Sequence, residues 1–147
     1  MKKLLQKRLK NEKGLTLVEL LAVIVILGII AAIAVPAIGG IIENTRVKAQ
    51  FSDGQNVLAA ANIYFVENPG AQPVSIAELV SQNYLDNAGS FGKDNDGKVT
   101  YTKGGNTLSA TTVGDKTTVT FANATNEAIS KADAKSGNGD LVKINKK

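Results

Sequence analysis

Few residues of this chain have the type and spacing to do chemistry, and its absences narrow the field first. The 147 residues include neither cysteine nor histidine, which excludes disulfides, thiolate metal sites and every histidine-dependent triad. Asp94-Asn95-Asp96-Gly97 sets two carboxylates two apart before a glycine, as the middle of a calcium loop does. On the twelve-residue calcium-loop template, however, the first ligand position falls on Gly92 and the last on Lys103. Neither residue suits a calcium ligand. Asp94 and Asp96 therefore read as a polar turn, with calcium as the alternative and Asp140 as a distant further oxygen donor. Glu19 is the more informative acid. It stands directly before Leu20–Ile42, 23 residues without a charge, and an unpaired carboxylate among apolar groups is costly.

The element that positions Glu19 is a candidate membrane helix. Residues 20–42 exceed the roughly 20 residues needed to span a hydrocarbon core. Lys2, Lys3, Lys7, Arg8, Lys10 and Lys13 all precede it, which predicts a cytoplasmic N-terminus and an exported remainder. These six account for the basic character of the chain. From Leu15 onward, eleven basic residues face twelve acidic ones, a net charge of −1. A broad basic face for nucleic acid thus loses its support, and DNA binding is left to a local patch at most.

Beyond the apolar run the pattern turns amphipathic. Val47, Phe51, Gly54, Leu58, Ala61 and Phe65 recur at a 4-3-4-3-4 spacing, one face of a helix that Pro69-Gly70 ends. Tyr64 and Phe65 could stack on bases, yet a helix stripe of this kind needs aromatic cover for a core. Ser75 and Glu78 have capping-box spacing and predict a short helix to about Tyr84. Lys98–Lys103 alternates as a half-buried strand, with Val99 and Tyr101 inward, and Gly104-Gly105-Asn106 turns it. Residues 107–113 and 116–122 form two further candidate strands joined by a tight Gly114-Asp115 hairpin. Ser136–Asp140 reads as a flexible loop, and Leu141–Ile144 as a short closing strand. The fold class is α+β, a long helix packed on a small antiparallel sheet.

Two processing readings compete for the N-terminus. Ala32-Ile33-Ala34 matches a signal-peptidase site, but the apolar run continues past it to Ile42 and carries Glu19 at its mouth. The other reading cuts before the run. Lys13-Gly14-Leu15-Thr16-Leu17-Val18-Glu19-Leu20-Leu21, followed by the apolar helix through Pro36, resembles the type IV pilin family, which includes the pseudopilins of competence and type II secretion. The shared pattern is a basic leader ending in Gly, a hydrophobic residue, three more residues and a Glu, then about twenty apolar residues. The resemblance covers roughly the first 50 residues. Leu15 departs from it, because the family most often has Phe there.

The resemblance implies a pilin fold divided into a leader (1–14), a transmembrane and assembly helix (15–42), its amphipathic continuation (43–68) and an exported globular part (69–147). It implies a prepilin peptidase that cuts between Gly14 and Leu15 and N-methylates Leu15, and a Glu19 that sets register by pairing with a neighbour's new amino terminus. A Gly28-to-Pro36 stretch that is helical in the membrane and loosened in the polymer also follows from it. The implied partners are identical subunits, an assembly ATPase, a platform protein and, before assembly, membrane lipid of the bacterial cytoplasmic membrane. The product is a cell-surface filament, or alternatively the pseudopilus of a competence or type II secretion system. The implied role is structural, with no enzymatic site and no cofactor beyond the calcium alternative.

Overall fold

A computed structural model describes the backbone of residues 2–92 and 96–146, with side chains from Thr16 onward. Asp94 lies outside the described residues. The elements run α1 (Lys2–Glu67), β1 (Val74–Ser75), α2 (Ile76–Ser81), a 3-10 turn (Gly89–Phe91), β2 (Lys98–Thr100), β3 (Thr107–Thr111), β4 (Thr117–Ala124), α3 (Asn126–Ser130) and β5 (Val142–Lys146). The strands form one antiparallel sheet in the order β1-β2-β3-β4-β5. The chain divides into two compact units, Met1–Ile41 and Ile42–Lys147.

The first unit is helix alone. In the second, α1 buries the stripe that the spacing predicts: Val47, Phe51, Gly54, Leu58, Ala61 and Phe65 are all buried. Gln50, Val57, Ala60 and Tyr64 are buried too, so the covered face is wider than the six-residue stripe. The inner face of the sheet meets it with Val99, Leu108, Val119, Phe121 and Val142, each at most 1% exposed. Phe91 from the 3-10 turn fills the space beside Phe121, with ring centroids 5.8 Å apart. Both Tyr64 and Phe65 belong to this core. Neither is free for stacking on a base.

A polar latch holds the helix on the sheet. Buried Gln50 donates from Nε2 to Thr117 O at 3.1 Å and accepts from the Thr112 hydroxyl at 2.9 Å. The same hydroxyl oxygen accepts the Val119 N–H at 2.8 Å. Such groups are tolerable in a core only when each is satisfied, and here they satisfy one another.

Several local expectations need correction. Ser75 does cap α2, accepting from Glu78 N at 3.1 Å. Glu78 does not close the box, because its carboxylate accepts from the Tyr64 hydroxyl and from Gln82 Nε2 instead. α2 stops at Ser81 rather than Tyr84 because Asn83 turns left-handed at φ 60°. Tyr84 N–H then bonds Leu79 O and Asn83 N–H bonds Val80 O, a Schellman closure. β2 ends at Thr100, one residue before Tyr101, as the chain enters the turn closed by Gly105 N–H to Thr102 O.

The β3–β4 connection is not a two-residue hairpin. Thr111 is the last β3 residue in register, opposite Thr120. The chain then swings out so that Val113 N–H reaches Ser90 O at 2.7 Å. Ser136–Asp140 is not a flexible loop but a bonded double turn. Asp133 and Gly137 exchange backbone hydrogen bonds, Asn138 N–H reaches Val142 O, and Asn138 Nδ2 reaches Ala128 O at 2.8 Å. A Cβ on Gly137 would fall 2.1 Å from Val142 O, so only glycine fits there. The closing strand is present, one residue late, as β5. The short helix α3 escaped the periodicity argument. Its signal was Thr125, whose hydroxyl accepts the Ala128 N–H at 3.2 Å as an N-cap should.

Candidate assembly segment

Leucine, isoleucine, valine and alanine run almost unbroken from Leu20 to Val35, and nothing in that stretch offers the backbone a better partner than its own helix. α1 accordingly passes through Gly28, Pro36, Gly39 and Gly40 without a break. At Pro36 the ring removes one N–H, so the Ala32 carbonyl loses its helical donor. Beyond its own turn of helix, a Cβ on Gly28, Gly39 or Gly40 would meet no atom of the described residues within 4 Å. No close contact therefore demands glycine at these positions within a single chain. They are weak points in the helix, each costing about 1 kcal/mol against alanine, and small surfaces that let another helix approach.

From Leu17 to Ile42, sixteen large apolar side chains are each more than half exposed. Among the described residues of this segment none covers them, and exposed apolar surface of this extent calls for lipid or other helices. Within the described helix from Thr16, one stretch is long and apolar enough to cross a membrane. Glu19 sits on this helix, also exposed, and among the described residues no cation pairs with it. The Gly14–Leu15 peptide lies within the same helix. Four residues of helical rise, about 6 Å, separate Leu15 from Glu19. The structure thus sets Gly14, Leu15, Glu19, Gly28 and Pro36 on one continuous element, with the carboxylate near the proposed cut.

Two of the weaker candidates, Asp96 and Asp140, lie within the described residues. Asp96 is exposed, and Asp140 pairs with Lys143 at 3.1 Å. Among the described residues, no three acidic side chains converge as metal ligands would. The sequence reading missed a pair of tyrosine–carboxylate contacts where α1 ends. The Tyr64 hydroxyl donates to Glu78 at 3.1 Å and the Tyr84 hydroxyl to Glu67 at 2.5 Å. Burial, followed by the nearby Glu78 carboxylate, pushes the Tyr64 phenol up, and the bond to Glu67 does the same for Tyr84. No sequence signal marks these pairs, because they form across the turn that follows Glu67.

Residues 9–35 match the family model for the prokaryotic N-terminal methylation motif, the hallmark of type IV pilin and pseudopilin precursors. No curated protein and no solved structure matches the chain. The matched region contains Gly14, Leu15, Glu19 and Gly28 and ends one residue before Pro36. The single apolar helix and the motif together fit a membrane-anchored pilin, and the α+β architecture is consistent with the pilin fold.

Proposed function

We propose that this chain is the precursor of a type IV pilin-like subunit that is cut after Gly14, N-methylated on Leu15 and polymerised through its apolar helix. One observation carries the reading: the methylation motif at residues 9–35 falls on a helix whose described apolar side chains are exposed. Cleavage removes six of the basic residues and creates a positive amino terminus about 6 Å from Glu19 along the helix. In the membrane, the basic leader keeps this end cytoplasmic and Glu19 stays hydrated at the interface.

On assembly, the apolar surface moves from lipid to neighbouring helices. Glu19 then loses its water, and a desolvated carboxylate costs several kcal/mol unless it is paired. The amino terminus of a neighbouring subunit supplies the pair. Only a subunit in the correct axial position brings that charge within reach, so the pair selects register more than it adds stability. Gly28 and Pro36 give the helix a place to loosen while packing. A cytoplasmic ATPase and a platform protein would drive this transfer, and the folded unit from Ile42 onward would form the outer surface of the filament.

N-terminal sequencing and mass measurement of the mature protein, expressed with a prepilin peptidase, test the proposal. The expected start is N-methylated Leu15. A start at Val35, after the Ala32-Ile33-Ala34 site, overturns it.

A further inference from the structure

The C-terminal end of α1, the turn after it and the connection between β2 and β3 line a concavity of about 450 Å³, within the range of small-molecule sites. Pro69 and the exposed ring of Tyr101 are among its lining, and the Tyr101 ring packs edge-on against Phe65, centroids 5.8 Å apart at 68°. Strand alternation alone would turn Tyr101 inward with Val99. Because β2 ends at Thr100, Tyr101 stays 51% exposed and presents ring to solvent.

Three carboxamides complete the lining: Asn62, Gln72 and Asn106. Asn106 is only 8% exposed and donates from Nδ2 to Asn62 Oδ1. That bond orients the Asn62 amide and leaves its N–H groups without a partner among the described residues. Among the described residues, neither the Gln72 side chain nor the Tyr101 hydroxyl has a hydrogen-bond partner. No lining residue carries a charge.

This chemistry selects its occupant. An ionic ligand would lose hydration with no counter-charge in return. A hydrocarbon would strip water from the carboxamides and replace none of their hydrogen bonds. A carboxamide both donates and accepts, which matches vicinal hydroxyls, and an aromatic wall accepts the C–H face of a sugar ring. An extended peptide would look for a strand edge, yet the neighbouring edge strand β1 is two residues long. We infer that this concavity is a binding site for a neutral carbohydrate, of mono- to disaccharide size.

Saturation-transfer NMR on the full chain, held in a detergent without a sugar headgroup, tests the inference. The probes are lactose, maltose and diacetylchitobiose, with glucuronic acid and a neutral Pro-Gly tetrapeptide for comparison. Transfer to the ring protons of at least one neutral disaccharide is expected. Tyr101→Ala should weaken it roughly 3- to 10-fold, the worth of one aromatic contact. Gln72→Ala, at an exposed position without a hydrogen bond, should weaken it with no change in thermal midpoint. Three results overturn the inference: no transfer to any neutral disaccharide, transfer unchanged in both variants, or transfer to glucuronic acid or the peptide alone. The result is independent of where the N-terminus is cut.

Discussion

Gly54 on α1 and Phe121 on β4 lie so close that a Cβ on the glycine would stand 3.0 Å from the Phe121 ring. The missing side chain lets the helix settle onto the sheet. Ile129 from α3 approaches the same point, at 3.4 Å, so one glycine sets the spacing of three elements. A Cβ here gains helix propensity of about 1 kcal/mol and must move the ring by a few tenths of an ångström. Gly54→Ala is therefore expected to be near neutral, and Gly54→Leu to cost about 1–3 kcal/mol by overpacking. Urea unfolding of the two variants checks the contrast; equal stability would show that the spacing is not set by this contact.

The Gln50 latch makes a second expectation. Gln50→Leu keeps the volume but leaves Thr117 O and the Thr112 hydroxyl without the bonds they make to Gln50. Each orphaned buried group costs about 1–3 kcal/mol. Combining Gln50→Leu with Thr112→Val removes the hydroxyl as well as its partner, and only Val119 N–H and Thr117 O then need new partners. The double variant should cost less than the sum of the two single variants, read from a thermodynamic cycle of denaturation midpoints.

The proposed cleavage places its own demand on the helix. The Gly14–Leu15 peptide is helical, and a peptidase needs its scissile bond extended and unobstructed. Glycine is the residue that opens a helix most cheaply short of proline and has no side chain to exclude from the cleft. Gly14→Val should leave full-length precursor in the membrane, seen as an unshifted band after co-expression with the peptidase. Leu15→Phe should be cut normally.

On the proposed mechanism, Glu19 is needed for assembly and not for processing. Glu19→Gln keeps shape and hydrogen bonding but removes the charge, and breaking a desolvated pair costs about 3–5 kcal/mol. Mature subunits should then accumulate in the membrane, with filaments reduced at least tenfold in sheared surface material. A variant that is processed and polymerises at the wild-type level refutes the role in register.

Asp133 gives a pH dependence outside the membrane segment. The Lys135 N–H, donating to its carboxylate at 2.8 Å, holds Asp133 below the usual carboxylate range, with Ser136 adding to the effect. A depressed folded pKa means that the stabilisation is fully present above the unfolded value near 3.9 and is lost as pH falls through the lower folded value. Amide exchange at Lys135 and Gly137 should therefore be pH-insensitive, after correction for intrinsic rates, from pH 7 to 5 and should rise below about pH 4. Asp133→Asn should abolish that acid-side rise.

The amino-acid sequence alone determined the parts of this protein that rest on local order. Helical period predicted all six buried stripe residues from Val47 to Phe65, because burial on one face of a helix repeats every 3.6 residues whatever lies opposite. The methylation motif, with Glu19 before 23 uncharged residues, is likewise written in linear order. Turns and contacts across the chain were a different matter. The length of β2, the swing of the β3–β4 connection and the double turn at 133–142 depend on bonds such as Val113 N–H to Ser90 O and Asn138 N–H to Val142 O. Only packing selects those partners. The same holds for the Phe65–Tyr101 concavity, whose lining joins residues 62–72 with 101 and 106. Periodicity assigned Tyr101 to the core, and tertiary structure left it half exposed, because the strand that would have carried it inward ends one residue earlier.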